Sequence, residues 1–269
     1  MVRIESSKLA EFISVVSQKA RIKSLVLKFK SDGLYVDSKD ENDTTFNFGM
    51  LEKSSFDKYN LNDNQIGIKS SNMLISILKS FSGPVNIDLD KNLLTIYNDN
   101  KNVSLVTADI TYLNEYNLEK APEKLLGMFD SGCVVKSSFL ANIVKNATLV
   151  KSEEVNLVVK DGRLNITTGD EGFDKITESE NVSYRNVESS IHIDNFKSVI
   201  GSLDSVKENV KLSFSENNEP IQLFINNENY KVRMILAPMD SSSSSSNIEE
   251  PTPTNVTIDE LVDEGDDLL

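Results

Sequence analysis

Between residues 6 and 16 apolar side chains recur at Leu9, Phe12, Ile13 and Val16, the spacing of one helix face. The same spacing returns at Met73, Leu74, Ile77, Leu78 and Phe81, at Leu140, Ile143 and Val144, and at Phe196, Val199, Ile200 and Leu203. Between these stretches the period drops to two: Leu25, Leu27, Phe29; Val85, Ile87, Leu89; Val155, Leu157, Val159; Val210, Leu212, Phe214. Period two predicts half-buried antiparallel strands. Ser31-Asp32-Gly33 and Lys160-Asp161-Gly162 predict hairpin turns between them. The four helices are expected to start near Ser6, Ser70, Ser137 and Asp194, because Ser and Asp side chains accept hydrogen bonds from the free N–H groups of a first turn. Stripes of this kind are ordinary core, so function has to be sought on the opposite faces.

The pattern repeats. Residues 4–38 and 135–169 each run strand, Ser-Ser, helix, basic turn, strand, Asp-Gly turn, strand. The Ser-Ser pairs lie 131 residues apart and the Asp-Gly turns 129 apart. An offset held within two residues over the whole unit marks an internal duplication. Weaker copies occupy 66–98 and 190–226, so each half carries two units. Helices packed on one face of antiparallel sheets make an α+β protein.

Charge changes this picture. The net charge is −14, but residues 240–269 hold nine acids and no Lys or Arg, which leaves 33 acids against 28 bases before them. A net acidic body would normally repel phosphates. The bases, however, concentrate on the helices and the turns after them: Lys8, Lys19, Lys79, Lys145, Lys197 and Lys207, with Arg21, Lys23 and Lys151 in the turns. Acids there are few, namely Glu11, Asp204 and Glu208. A single Lys is usually a solvated charge. The same placement in all four units predicts one basic surface that meets phosphates without reading bases. No aromatics are interleaved for stacking single strands.

Composition excludes several classes. No run of about 18 apolar residues predicts a membrane span, and the N-terminus lacks the pattern of a secretory signal. One cysteine, Cys133, excludes an intrachain disulfide and fits a reducing compartment. Cys133 reads as a small core residue. The one histidine, His192, has no paired nucleophile in view. The acidic run 37–43 lacks the Gly and closing Glu of a calcium loop, and no phosphate-binding Gly-rich loop occurs. No catalytic residue, metal ligand or cofactor is expected, and a metal-dependent hydrolase is the remote rival.

Over residues 1–239 the chain resembles the sliding DNA clamps of the proliferating cell nuclear antigen type. "SGCVVKSSFLANIV" and "VVKDGRLNITTGDEG" open the second half, and "YKVRMILAPM" closes it with Leu-Ala-Pro. The resemblance implies two tandem clamp domains, each with two β-α-β-type units. They would close into a ring, most often a homotrimer, with helices lining the inside and antiparallel sheets outside. It places domain 1 at 1–110, a connector at 111–131, domain 2 at 132–239 and an acidic tail at 240–269. The implied partners are double-stranded DNA, a DNA polymerase, an ATP-driven clamp loader, other clamp-binding peptides and further copies of the chain. The implied location is intracellular: nucleoid, nucleus or viral replication site. Carried over by position, the pocket for partner peptides takes Thr44 and Phe46 from a loop, Leu125, Leu126 and Met128 from the connector, and Ala237, Pro238 and Met239 after the last strand. Subunits would join through edge strands holding Val103, Leu105 and Thr107 on one side and Phe173, Ile176 and Thr177 on the other. A clamp-like processivity factor acting as a monomer or in a mixed ring remains the alternative within the binding class.

The tail joins six serines (241–246), a flexible spacer, to an acidic segment with Ile258, Leu261 and Val262 at helical spacing. It reads either as a solubilising tail or as a tethered motif for a partner or for the chain's own pocket.

Overall fold

The computed structural model describes residues 1–61, 64–90, 92–113, 127–129, 132–169, 174–203, 209–217 and 219–239. Residues 1–239 form one compact unit. The first half runs β1 (Val2–Glu5), α1 (Ser6–Val16), β2 (Leu25–Lys30), β3 (Gly33–Lys39), β4 (Thr45–Glu52), β5 (Lys58–Tyr59), β6 (Asn64–Ile68), α2 (Ser71–Lys79), β7 (Pro84–Asp90), β8 (Leu93–Tyr97) and β9 (Asn102–Val106). The second runs β10 (Cys133–Lys136), α3 (Ser137–Leu149), β11 (Glu154–Lys160), β12 (Arg163–Thr168), β13 (Ile176–Asn181), β14 (Val187–His192), α4 (Ile193–Ser202), β15 (Asn209–Phe214), β16 (Ile221–Asn226) and β17 (Tyr230–Leu236). Apart from the short β5, the halves match element for element.

Three antiparallel sheets result, ordered β5-β1-β7-β8-β9, β10-β15-β16-β17-β4-β3-β2-β6 and β13-β12-β11-β14. The eight-stranded sheet belongs to both halves: β17 pairs with β4 over seven residues, from Tyr230↔Leu51 to Leu236↔Thr45. The period-two residues fill the core; Leu25, Leu27, Phe29, Val155, Leu157, Val159, Val210, Leu212 and Phe214 are all buried. At the second hairpin Asp161 (φ 51) and Gly162 (φ 75) both take the left-handed backbone that a two-residue turn of this hand requires.

Helices α1 with α2, and α3 with α4, pack as pairs against the sheets. Their stripes face inward as the spacing predicts, with Ile77 and Val144 half-buried and one residue turned outward. Met73 is 54% exposed, and Ile75 takes the inward position instead. The start positions hold within one residue, but the capping chemistry differs. Ser70 caps α2 by accepting from the Met73 N–H. Helices α1 and α3 have no side-chain cap, because Ser6 and Ser137 are already their first residues. Ser6 Oγ instead donates to the Phe81 carbonyl, tying α1 to the end of α2. At α4 the cap is His192 and not Asp194: His192 Nδ1 accepts from the Asp194 N–H at 3.2 Å.

The junction of the halves lies under α1. Phe12 is fully buried there with its ring 5.8 Å from that of Tyr230 on β17. Gly49 on β4 makes room, since a Cβ at this position would lie 2.8 Å from the Phe12 ring and 2.4 Å from Val16. A buried polar network continues the seam. Asn47 donates to the Val16 carbonyl at 2.8 Å, Ser38 to the same carbonyl at 2.9 Å, and Gln18 to Asn47 at 3.3 Å. Ser198 of α4 donates to Gln18 Oε1 at 2.6 Å. Gln18, Lys19 and Ala20 all have positive φ (52, 56 and 69). Three such non-glycine residues in a row are costly. Here the turn is held by Lys19 N–H to Ser14 O at 2.7 Å and Ile22 N–H to Ser17 O at 3.0 Å.

Candidate nucleic-acid interface and partner surface

The exposed helix positions are Ser7 on α1, Asn72, Met73, Ser76 and Lys79 on α2, Ser138, Asn142, Lys145, Thr148 and Leu149 on α3, and Asp194 on α4. This surface is built mostly of small hydroxyls and amides with isolated lysines. Such a surface offers phosphates hydrogen-bond donors and a thin positive charge, with no group shaped to read base edges.

The nine bases singled out from the sequence fall into distinct states. Lys19, Lys79, Lys145 and Lys151 are exposed, whereas Lys8 and Lys197 are half-buried. Arg21 is exposed but engaged: its guanidinium donates to the Asp194 carbonyl at 2.9 Å and to Asn195 Oδ1 at 3.1 Å, fastening the turn after α1 to the start of α4. Lys23 pairs with Glu41 at 2.8 Å. This hydrogen bond raises the Lys23 pKa and lowers that of Glu41. Lys207 lies outside the described residues.

Two of these lysines share one depression of about 470 Å³, between the turn after α3 and the start of α4. Thr148, Lys151, Ser152, Glu153, His192, Ile193, Asp194 and Lys197 line it. Glu153 and Asp194 balance the two ammonium groups, so the depression itself is not a strongly cationic site. Among the described residues no three His, Cys, Asp or Glu side chains are grouped to hold a metal ion. Burial pushes the Cys133 thiol up to about 11, with the Glu180 charge adding to the shift, so at neutral pH it stays a protonated, inert core group.

The residues expected to take partner peptides come from distant parts of the chain, and several of them lie together in the structure. The Ala237 N–H donates to the Thr44 carbonyl at 2.8 Å, while Phe46 pairs with Ile235 in the β4–β17 ladder. Thr44, Phe46, Ala237, Pro238 and Met239 are all half-buried. The loop before β4 is shaped by Asp40, whose carboxylate accepts from the Thr44 and Thr45 N–H groups at 2.7 and 2.9 Å and from the Thr44 hydroxyl. The polar side of Thr44 is thereby turned inward. Met128 is 37% exposed, and Phe129 beside it is buried. Leu125 and Leu126 lie outside the described residues.

Strands β9 and β13 each terminate a sheet. Val103, Leu105, Thr107 and Ile176 are half-buried and Thr177 is exposed; Phe173 lies outside the described residues. Each edge leaves a row of backbone N–H and C=O groups without a ladder partner.

Sequence reasoning missed Arg21 as an anchor and His192 as a cap. The first depends on a contact 173 residues away in the chain, which no local pattern signals. The second was open to view, since His192 directly precedes α4.

No family model and no curated protein matches the chain by sequence. By structure it is similar to the A. fulgidus proliferating cell nuclear antigen (PCNA) bound to the C-terminal region of FEN-1, with TM-score 0.74 and 17% identity over 89% of this chain and 99% of that one. It is similar to the PCNA of Entamoeba histolytica, with TM-score 0.68 and 17% identity over 89% and 99%. It is also similar to a chain of the PCNA2–PCNA3 complex of Sulfolobus tokodaii, with TM-score 0.68 and 16% identity over 88% and 98%. These matches run through both halves and the shared eight-stranded sheet, and the fold of this chain is therefore that of a PCNA-type sliding clamp.

Proposed function

We propose that the protein is a DNA sliding clamp: a ring of three copies that encircles duplex DNA and tethers a replicative polymerase and other peptide-bearing partners. It needs a loader to open it and performs no catalysis of its own. The observation that carries this reading is the conjunction of a clamp fold with β9 and β13, two of the strands that terminate its sheets, one on each half of the chain. Edges in different places on a subunit make head-to-tail contacts, which close into rings when the rotation allows. Lys79, Lys145, Lys151 and Lys197 supply a sequence-independent attraction for phosphates on the helical face. Thr44, Phe46 and residues 237–239 form the core of the surface for partner peptides.

Mass in solution tests the assembly. A species near three times 30.0 kDa at micromolar concentration is expected, and a chain that stays monomeric there contradicts the homotrimer. The Sulfolobus tokodaii complex pairs two different PCNA chains. A mixed ring is therefore the second reading, and it predicts assembly only after a second chain is added.

A further inference from the structure

Strands of the eight-stranded sheet place side chains alternately on its two faces. Asn47 and Gly49 of β4 face α1, so Phe48 between them faces away from the helices. The ladders carry this position across the sheet. Phe48 is opposite Arg233 on β17, Arg233 is opposite Phe224 on β16, and Phe224 is opposite Lys211 on β15. These four half-buried residues form one row on the face turned away from α1. The next row on that face holds Ile235 and Phe46, and Phe46 is one of the residues expected to take partner peptides. Two residues along a strand span about 7 Å. A side chain one or two positions from the apolar part of a seated peptide therefore reaches the Arg233 row.

Arg233 lacks the partner that its neighbours have. Its guanidinium lies 4.8 Å from the Phe224 ring centre. Stacking of this kind holds the planar group in place and leaves its edge for a ligand. One hydrogen bond is spent on Gln222 Oε1, at 3.3 Å, out of the five N–H groups that a guanidinium carries. The other cations of this face are matched: Lys28 pairs with Asp37, Lys39 with Asp43 and Lys231 with Glu52. Among the described residues neither Arg233 nor Lys211 pairs with a carboxylate. Burial lowers the Arg233 pKa, and no nearby acid acts against it.

We propose that Arg233, stacked on Phe224 and flanked by Phe48 and Lys211, is a carboxylate subsite of the partner surface, so that partner peptides carry an Asp or Glu one or two positions from their apolar plug. The subsite rests on the partner-peptide reading above and adds the chemistry of the peptide selected. A half-buried guanidinium accepts a carboxylate through two parallel hydrogen bonds, stronger than a pairing in open water. An apolar residue there would cover the guanidinium and leave it unpaired, and a basic one would set like charges together. The subsite thus selects against such peptides as well as for acidic ones. It faces away from the helical surface assigned to DNA.

The probe is a phage-displayed library of random short peptides, selected against the full chain. Enriched peptides are expected to share an apolar cluster with an Asp or Glu at one fixed offset. Selection on Arg233→Glu is expected to keep the cluster and place Lys or Arg at that offset. For the best peptide, Arg233→Gln should weaken binding about tenfold. Exchanging the peptide's acid for its amide should weaken it equally, and both changes together should cost little more than either alone. Melting temperature and DNA affinity should match the parent. The charge swap decides the matter even if a variant is less stable, because lost folding cannot improve the binding of a basic peptide. Enrichment without a fixed acid, or equal affinity for the parent and Arg233→Gln, would overturn the subsite and leave the partner surface standing. So would a loss of DNA affinity in Arg233→Gln, or a lower melting temperature with peptide affinity intact, since the guanidinium would then serve phosphates or the fold. Enriched peptides that bind Phe46→Ala as tightly as the parent would instead remove the partner surface itself.

Discussion

Reversing the charge of Lys79, Lys145 and Lys151 together is expected to cut the DNA affinity of the assembled protein by on the order of 100-fold at moderate salt, with unfolding temperature unchanged. All three are exposed, none is needed for a described hydrogen bond or ion pair, and the helices that carry two of them are held by their buried faces. The effect is large because these few lysines supply most of the positive charge on a surface built mostly of Ser, Asn and Thr. Each phosphate contact removed should also lower the salt slope of binding by about 0.9. Titrating DNA at several salt concentrations reads both quantities. Unchanged slopes would show that the helical face does not meet phosphates. Arg21 and Lys23 are predicted to behave differently. Arg21 is spent on Asp194 and Asn195, and Lys23 on Glu41.

Replacing Phe12 with Ala is expected to cost about 3–5 kcal/mol of stability, or roughly 10 °C in melting temperature for a unit of this size. Phe12 is fully buried and touches both halves of the chain, through Tyr230 on β17 and the Gly49 gap on β4. The cavity has little to collapse into, because β4 and β17 are fixed by a seven-residue ladder. Thermal unfolding followed by circular dichroism gives the value. A loss below about 1 kcal/mol would mean that α1 does not clamp the two halves.

Much of this architecture was legible in the chain because its determinants are local. A helical stripe such as Leu9-Phe12-Ile13-Val16 states its buried face by spacing alone, and the repeated Asp-Gly turns locate matching hairpins. Long-range choices were less legible. Met73 fits the α2 stripe by spacing, yet lies at the margin of the buried face, so Ile75 goes inward in its place. Asp194 is a strong capping residue by type, but it enters the helix as its second residue and leaves the cap to His192. The β17–β4 ladder joins residues about 180 positions apart, which no local pattern signals. The basic face was readable as a count of lysines but not as a surface, since sequence alone does not tell an exposed Lys79 from an engaged Arg21.

The central claim is encirclement, and topology tests it most directly. The protein, loaded with a matching clamp loader and ATP onto a closed circular DNA, should remain bound after a high-salt wash that removes surface-bound protein. Cutting the circle once should release it within the time needed to slide to an end. Equal retention on the circle and on the linear DNA would contradict encirclement, whatever the mass of the free protein.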